Sequence, residues 1–215
     1  MLKRIFVLIL FSINLYCTKN LTFSKTIFIS NFENEKPSNL TINNIYGQLK
    51  DSKIFYFNRS KVIGPLNNNS INVYIDSLPD HNILEINFDL YIHDNWQGNK
   101  INSNGMPDLF AIKVNDEPKF FTTFSNDASY NQSFPEWFPN GQNPIKSNSL
   151  DIALPGLCYS RNNKNGTTMY SIKKSFPNTD KSVVVSISDA LQPYNSSCEK
   201  SWSIDNIKIV AFRYF

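Results

Sequence analysis

The sequence predicts an all-β protein, a jelly-roll-like antiparallel β-sandwich. Three observations lead there. Apolar and polar residues alternate at period two in several separate runs, and no window carries a capped helical stripe. Phe (17) and Tyr (10), which suit pleated surfaces, are abundant. Many short strands joined by turn-rich loops in one chain of 215 residues fit a single large sandwich.

The elements follow in chain order. Ile71, Val73 and Ile75 alternate with Asn72, Tyr74 and Asp76, then the turn Ser77–Asn82 follows. Leu84, Ile86, Phe88, Leu90 and Ile92 share one face of a long strand, opposite Glu85, Asn87, Asp89, Tyr91 and His93. Phe110, Ile112 and Val114 continue the pattern to a turn at Asn115–Pro118, and Phe120, Thr122 and Phe124 form the next strand. The stretch 129–163 is rich in Pro, Asn, Ser and Gly and reads as a long loop region across one end. Tyr170 and Ile172 lie on a shorter strand, Val183, Val185 and Ile187 on a strong one, and Trp202–Ile209 on the last. In that last strand the apolar parity switches at Asp205-Asn206. A β-bulge there and a strand buried on both faces fit equally.

Compartment comes from the chain start. Lys3 and Arg4 precede the apolar run Ile5–Tyr16, the order of a signal peptide over 1–19, with cleavage near Cys17–Asn20 and a single β-sandwich domain over 20–215. The run is shorter than the roughly 20 residues of a membrane span, and no later segment is apolar enough, so a secreted, extracellular protein without a membrane span is expected. The bulky Tyr16 argues against a lipid anchor on Cys17. In an oxidising compartment Cys158 and Cys198 suggest one disulfide, with two buried thiols as the alternative. The net charge of +3 is small and the basic residues are dispersed, which argues against nucleic-acid binding. Sequons at Asn20, Asn39, Asn58, Asn68, Asn131, Asn165 and Asn195 mark surface loops if the source is eukaryotic. Asn-rich runs such as Asn67-Asn68-Asn69 weaken arguments from any single Asn.

An ordered set of short motifs carries a resemblance. L-P-D-H (Leu78–His81), I-N-F-D-L-Y-I-H-D-N-W-Q-G-N (Ile86–Asn99), G-M-P-D (Gly105–Asp108), T-T-F-S-N (Thr122–Asn126), Q-S-F-P (Gln132–Pro135) and S-W-S-I-D-N-I (Ser201–Ile207) occur in sequence. Together they resemble an uncharacterised family of secreted β-sandwich domains, over roughly Phe32 to Ile209. More distantly, N-F-E (Asn31–Glu33) and I-D-N-I resemble the ends of jelly-roll carbohydrate-binding modules and MAM-type domains. Gln97, Met106 and Ser203 depart from the family pattern, which has Asp at the first, no residue between Gly and Pro-Asp at the second, and Gly at the third.

The resemblance implies a structural calcium between an early and a late acidic residue, here Glu33 and Asp205. Asp94, Asn95, Trp96, Asn99 and Asp108 form a second oxygen-rich group with an aromatic, a candidate ligand-binding loop for a glycan, a protein or a metal. The same residues also read as a packed turn, with Trp96 as its anchor, and Gln97 is a weaker metal ligand than Asp. Trp137 and Phe138 are further aromatic candidates. His81 and His93 are the two histidines. No G-x-S-x-G elbow or zinc cluster accompanies them, so no catalytic set can be named. The expected role is an extracellular binding or adhesion module. The alternative is a structural surface or matrix protein acting through protein contacts.

Overall fold

A computed structural model of the chain describes residues 20–44, 47–49, 53–158, 162, 164–191 and 197–215. The predicted signal peptide, Cys17 and the sequon at Asn195 lie outside these residues.

The described residues contain no helix and thirteen strands. They are β1 (Leu21–Ser30), β2 (Leu40–Asn44), β3 (Gly47–Gln48), β4 (Ile54–Phe57), β5 (Ser60–Leu66), β6 (Asn69–Ile75), β7 (Ile83–Asp94), β8 (Leu109–Val114), β9 (Glu117–Thr122), β10 (Asp151–Leu154), β11 (Thr167–Pro177), β12 (Val183–Ala190) and β13 (Lys200–Tyr214). One sheet runs β10-β11-β7-β13-β5-β4, with β1 also paired to β13. The other runs β3-β2-β6-β12-β8-β9. Every pairing is antiparallel, and the two sheets form the predicted all-β sandwich.

Alternation decides which side chains meet between the sheets. Leu84, Ile86, Phe88, Leu90 and Ile92 of β7 are buried in one cluster with Ile71 and Val73 of β6, Phe110 and Ile112 of β8, and Val185 and Ile187 of β12. The residues between them leave the other side of each strand. On β7, Glu85, Asn87 and Asp89 are half-buried there, while Tyr91 and His93 are buried. Tyr91 sits in a small second cluster with Phe57, Val62 and Leu154. Strands that escape the sequence pattern have physical reasons to do so. In β5, Val62, Ile63 and Gly64 are consecutively buried, so there is no alternation to read. Strand β1 lies at an edge and leaves most of its residues exposed. Strand β10 falls inside the predicted loop region, and its Ile152 is half exposed.

The parity switch in β13 is a bulge. Asp205 pairs with Asp89 and Lys208 with Asn87, so β13 spends one residue more than β7 across that interval. Asn206 takes the left-handed φ of 53° there. The extra residue lets Trp202 and Ile204 before it, and Ile207, Ile209 and Ala211 after it, all enter the core.

Cys158 and Cys198 form a disulfide with their Cα atoms 4.8 Å apart. It ties the chain after β10 to the turn before β13. A cross-link of this kind restricts the unfolded chain and stabilises the fold.

Candidate binding site

The residues His93–Asn99 close β7, and the structure commits most of their polar atoms to the protein. Trp96 is fully buried, edge-on to Phe124 with ring centroids 6.4 Å apart, and its Nε1 donates to Ser201 O at 2.7 Å. Asp94 is buried at a φ of 60°, and Cys158 N approaches its Oδ2 at 3.5 Å. Asn99 donates to Gly141 O at 2.9 Å and accepts from Thr123 Oγ1 at 2.5 Å and Ser133 Oγ at 2.9 Å. Asp108, only 1% exposed, meets Lys200 Nζ at 2.8 Å in a buried ion pair. Gly98 has a φ of 55°, and a Cβ on it would collide with Asn131 O. Of the five residues grouped as a ligand loop, Asn95 alone is exposed, so the group is chiefly a knot joining β7, β13 and the 122–143 segment. The hydrophobic effect moves Trp96 inward, and its N–H finds a carbonyl there.

His93 is fully buried beside Tyr91 and Phe57. Thr167 Oγ1 spends its proton on Pro155 O at 2.7 Å, so at 2.9 Å it accepts from His93 Nδ1–H. Nε2 is then free to accept from Ser203 Oγ at 2.8 Å. Desolvation holds this imidazole neutral, with its pKa lowered to about 3. Ser203 stands where the resembled family has Gly. A Cβ on Gly64 would collide with Ser203 Oγ, so Gly64 is what makes room for that side chain. Serine and histidine thus meet, but both are 0% exposed and no substrate can reach them.

Glu33 and Asp205 do converge. Ser60 Oγ lies 2.7 Å from Glu33 Oε1 and 2.7 Å from Asp205 Oδ2. Asp205 is the last residue of β13 in register with β7 before the bulge, opposite Asp89. One hydroxyl proton serves two carboxylate oxygens, an excess of acceptors that suits an added cation. Lys61 N donates to Glu33 Oε1 at 2.9 Å, and this bond, with that of Ser60, lowers the Glu33 pKa. Burial raises that of Asp205, aided by the charges of Asp89 and Glu33. Lys61 Nζ occupies Glu33 O at 2.7 Å, which removes one carbonyl from a metal's reach. Among the described residues, no group of three or more His, Cys, Asp or Glu side chains is arranged to hold a metal ion.

The outward face of the second sheet carries a feature that sequence reading passed over. A groove of about 500 Å³ is lined by Asn43, Asn69, Ser70, Asn72, Ser186 and Ser188, with Lys113 and Asp116 of opposite charge also on its wall. Asn43 Oδ1 is buried and accepts no hydrogen bond from the described residues. Thr41 Oγ1, two residues earlier on β2, is likewise unpartnered among them. The turn at the groove's end is built from the three consecutive asparagines. Asn67 donates to Lys200 O at 2.8 Å, Asn68 Oδ1 accepts from Leu191 N at 3.0 Å, and Asn69 Oδ1 accepts from Asn67 N at 3.0 Å. Asp189 anchors that turn, accepting from Asn68 N at 2.6 Å, Asn69 N at 2.9 Å and Trp202 Nε1 at 2.8 Å. Burial raises the Asp189 pKa to about 6 despite those three bonds. The asparagine run that reads as compositional bias therefore has a specific use. The only advance signal was three adjacent Asn between two strands.

No family model matches this chain. No curated protein matches it either. Among solved structures it is similar to the K3 cleaved adhesin domain of Lys-gingipain from Porphyromonas gingivalis w83. The identity is 13% and the TM-score 0.40, over 87% of this chain and 99% of that one. It is also similar to a family 35 carbohydrate binding module from Clostridium thermocellum, at 7% identity and a TM-score of 0.33, over 87% and 98% of the two chains. A third is a family GH115 4-O-methyl-alpha-glucuronidase with specificity for decorated arabinogalactans. There the identity is 12% and the TM-score 0.38; the match takes in 86% of this chain but spans only 17% of that one. Likeness at this level carries no argument about ligand or activity.

No helix among the described residues is long and apolar enough to cross a membrane.

Proposed function

We propose that the protein is a secreted, non-catalytic binding or adhesion module whose ligand is a glycan. The observation that carries this reading is the open groove of about 500 Å³ on the second sheet, lined chiefly by neutral amides and hydroxyls. Such side chains match sugar hydroxyls donor for acceptor. The buried His93–Ser203 contact offers no accessible nucleophile, which supports binding over hydrolysis. The expected result on an array of neutral glycans is selective retention of the mature protein. Retention of no glycan, with or without calcium, sinks the reading.

A structural calcium belongs to the same proposal. Glu33, Asp205 and the Ser60 hydroxyl would hold it, and its charge would offset the burial that raises the Asp205 pKa, together with the lesser effect of the Asp89 and Glu33 charges. A cation bound only by the folded state raises the melting temperature, so chelator should lower it and calcium restore it. An unchanged melting temperature removes calcium from the proposal and leaves the glycan reading standing.

One observation favours the alternative of a structural surface or matrix protein. Strand β1 pairs with β13 on one side only among the described strands, and it exposes Leu21 (52%) and Ile29 (69%). Concentration-dependent assembly in solution, together with a blank glycan array, would favour that reading.

A further inference from the structure

The row of side chains that floors the groove continues past it along the sheet. In register across the second sheet, Asn43 pairs with Ser70, Ser70 with Ser188, Ser188 with Ala111, and Ala111 with Phe121. In-register antiparallel partners point to the same side of a sheet, so these five side chains form one row across β2, β6, β12, β8 and β9. A second row lies beside it, made of Thr41, Asn72, Ser186 and Lys113. Four inter-strand steps give the first row a length of about 19 Å. Its members are small and polar until Ala111, whose methyl leaves the path open. The row then meets Phe121, against which Trp137 stands edge-on with ring centroids 4.7 Å apart. Trp137 is also edge-on to the buried Phe120 at 5.8 Å, so its ring is braced while 39% of its surface stays exposed.

We propose that this row is a track for an unbranched, uncharged polysaccharide chain, which lies across the strands and sets one sugar ring against Trp137. The proposal rests on the glycan reading above and adds the path, the direction and the far anchor. Other occupants fit less well. A peptide adding as a strand needs a free sheet edge, and β6, β12 and β8 are paired on both sides. A nucleic acid or acidic polymer needs a basic surface, whereas the single Lys113 faces two carboxyl groups, Asp116 and Asp189, in the groove's lining. The track offers amide and hydroxyl groups to hydroxyls, and one aromatic to the apolar face of a ring. Its length exceeds what a single sugar can cover.

The test is calorimetric titration with dimers through hexamers of β-1,4-linked glucose, xylose and N-acetylglucosamine. Affinity for the bound series should climb with chain length and level off once the chain spans the row. Trp137→Ala should weaken the longest oligomers roughly fivefold to tenfold and leave the dimers nearly unchanged. Ser188→Gln should weaken every length by filling the middle of the row, and Ser70→Gln should do the same. Circular dichroism and melting temperature must match wild type for each variant. The track is overturned if oligomers bind but affinity is indifferent to length, or if none of the three variants weakens it; the glycan reading then survives with its site elsewhere. If no oligomer of the three series binds, the track is wrong. If the array of neutral glycans is blank as well, the glycan reading falls with it.

Discussion

Replacing Lys200 by methionine is expected to cost the fold about 3–5 kcal/mol, measured by urea unfolding. Lys200 is 3% exposed and Asp108 1%, and their charged atoms are 2.8 Å apart. Taking away the ammonium leaves a carboxylate in the interior without its counter-charge, and water cannot reach it to compensate. Asp108→Ala should cost a comparable amount for the mirror reason. The double variant Asp108→Asn, Lys200→Met should recover much of the loss, because it removes the charges together. The Asn would still accept from Asn102 Nδ2, which approaches Asp108 Oδ1 at 3.4 Å. Additive single losses in the double variant would show that the pair is not coupled. The ion pair therefore has a structural job. It pins the Gly105–Asp108 return, and with it the Trp96 turn, to the start of β13.

The second large effect concerns pH. The unfolded chain holds its histidine near 6.5, whereas burial takes folded His93 to about 3. The unfolded state therefore takes up this proton first. The stability it secures is present above about pH 6.5 and is lost as pH falls toward about 3. Asp189 acts in the opposite sense. Burial lifts it from 3.8 to about 6, so the folded state keeps its proton longer. Its contribution is fully present below the unfolded value of 3.8 and is lost as pH rises through about 6. Between about pH 4 and 6 the two opposing slopes reach up to about 1.4 kcal/mol per pH unit each, and they largely cancel. Asp189→Asn removes one of them. Wild type should exceed this variant in stability by a margin that widens by about 2–3 kcal/mol as pH falls from about 7 to about 4. The variant also loses stability at every pH, since its new amide N–H₂ faces the Asn68 N–H donor; that offset is constant and the slope is the readout. Denaturant unfolding at a series of pH values checks it, and a margin that does not change with pH sinks it.

Both effects rest on burial that the sequence does not show, although Asp108 and His93 stand out in it for other reasons. Lys200 follows Glu199 in a polar turn, and Asp108 follows a proline. Nothing local marks either as buried, because their partnership spans more than ninety positions of chain. Asp189 sits at the end of a strand whose alternation would predict an inward side chain, yet a carboxylate there reads as the start of a turn. Only non-local partners, the Asn68 and Asn69 N–H groups and Trp202 Nε1 of the opposite sheet, make the position tenable. The Glu33–Asp205 approach follows from the resemblance rather than from spacing, and the Ser60 hydroxyl, bonded to both carboxylates, joins them.

Local chemistry alone determined the class of this protein. Period-two alternation in β6, β7, β8 and β12 dictates half-buried strands, since adjacent side chains on an extended backbone must leave on opposite sides. With turn residues between them, such strands have few stable arrangements besides two packed sheets. The parity switch in β13 limited that strand to two local geometries. What alternation cannot say is which strand lies beside which, and every candidate site here depends on that. Asn43, Ser70, Ser188, Ala111 and Phe121 are ordinary outward-facing residues one by one. They become a row only through non-local pairing, in which strand order and register are set by the burial of the opposite face. The same packing turned Trp96 into an anchor and left Trp137 at the surface, because only the finished core decides which aromatic has a cavity to fill.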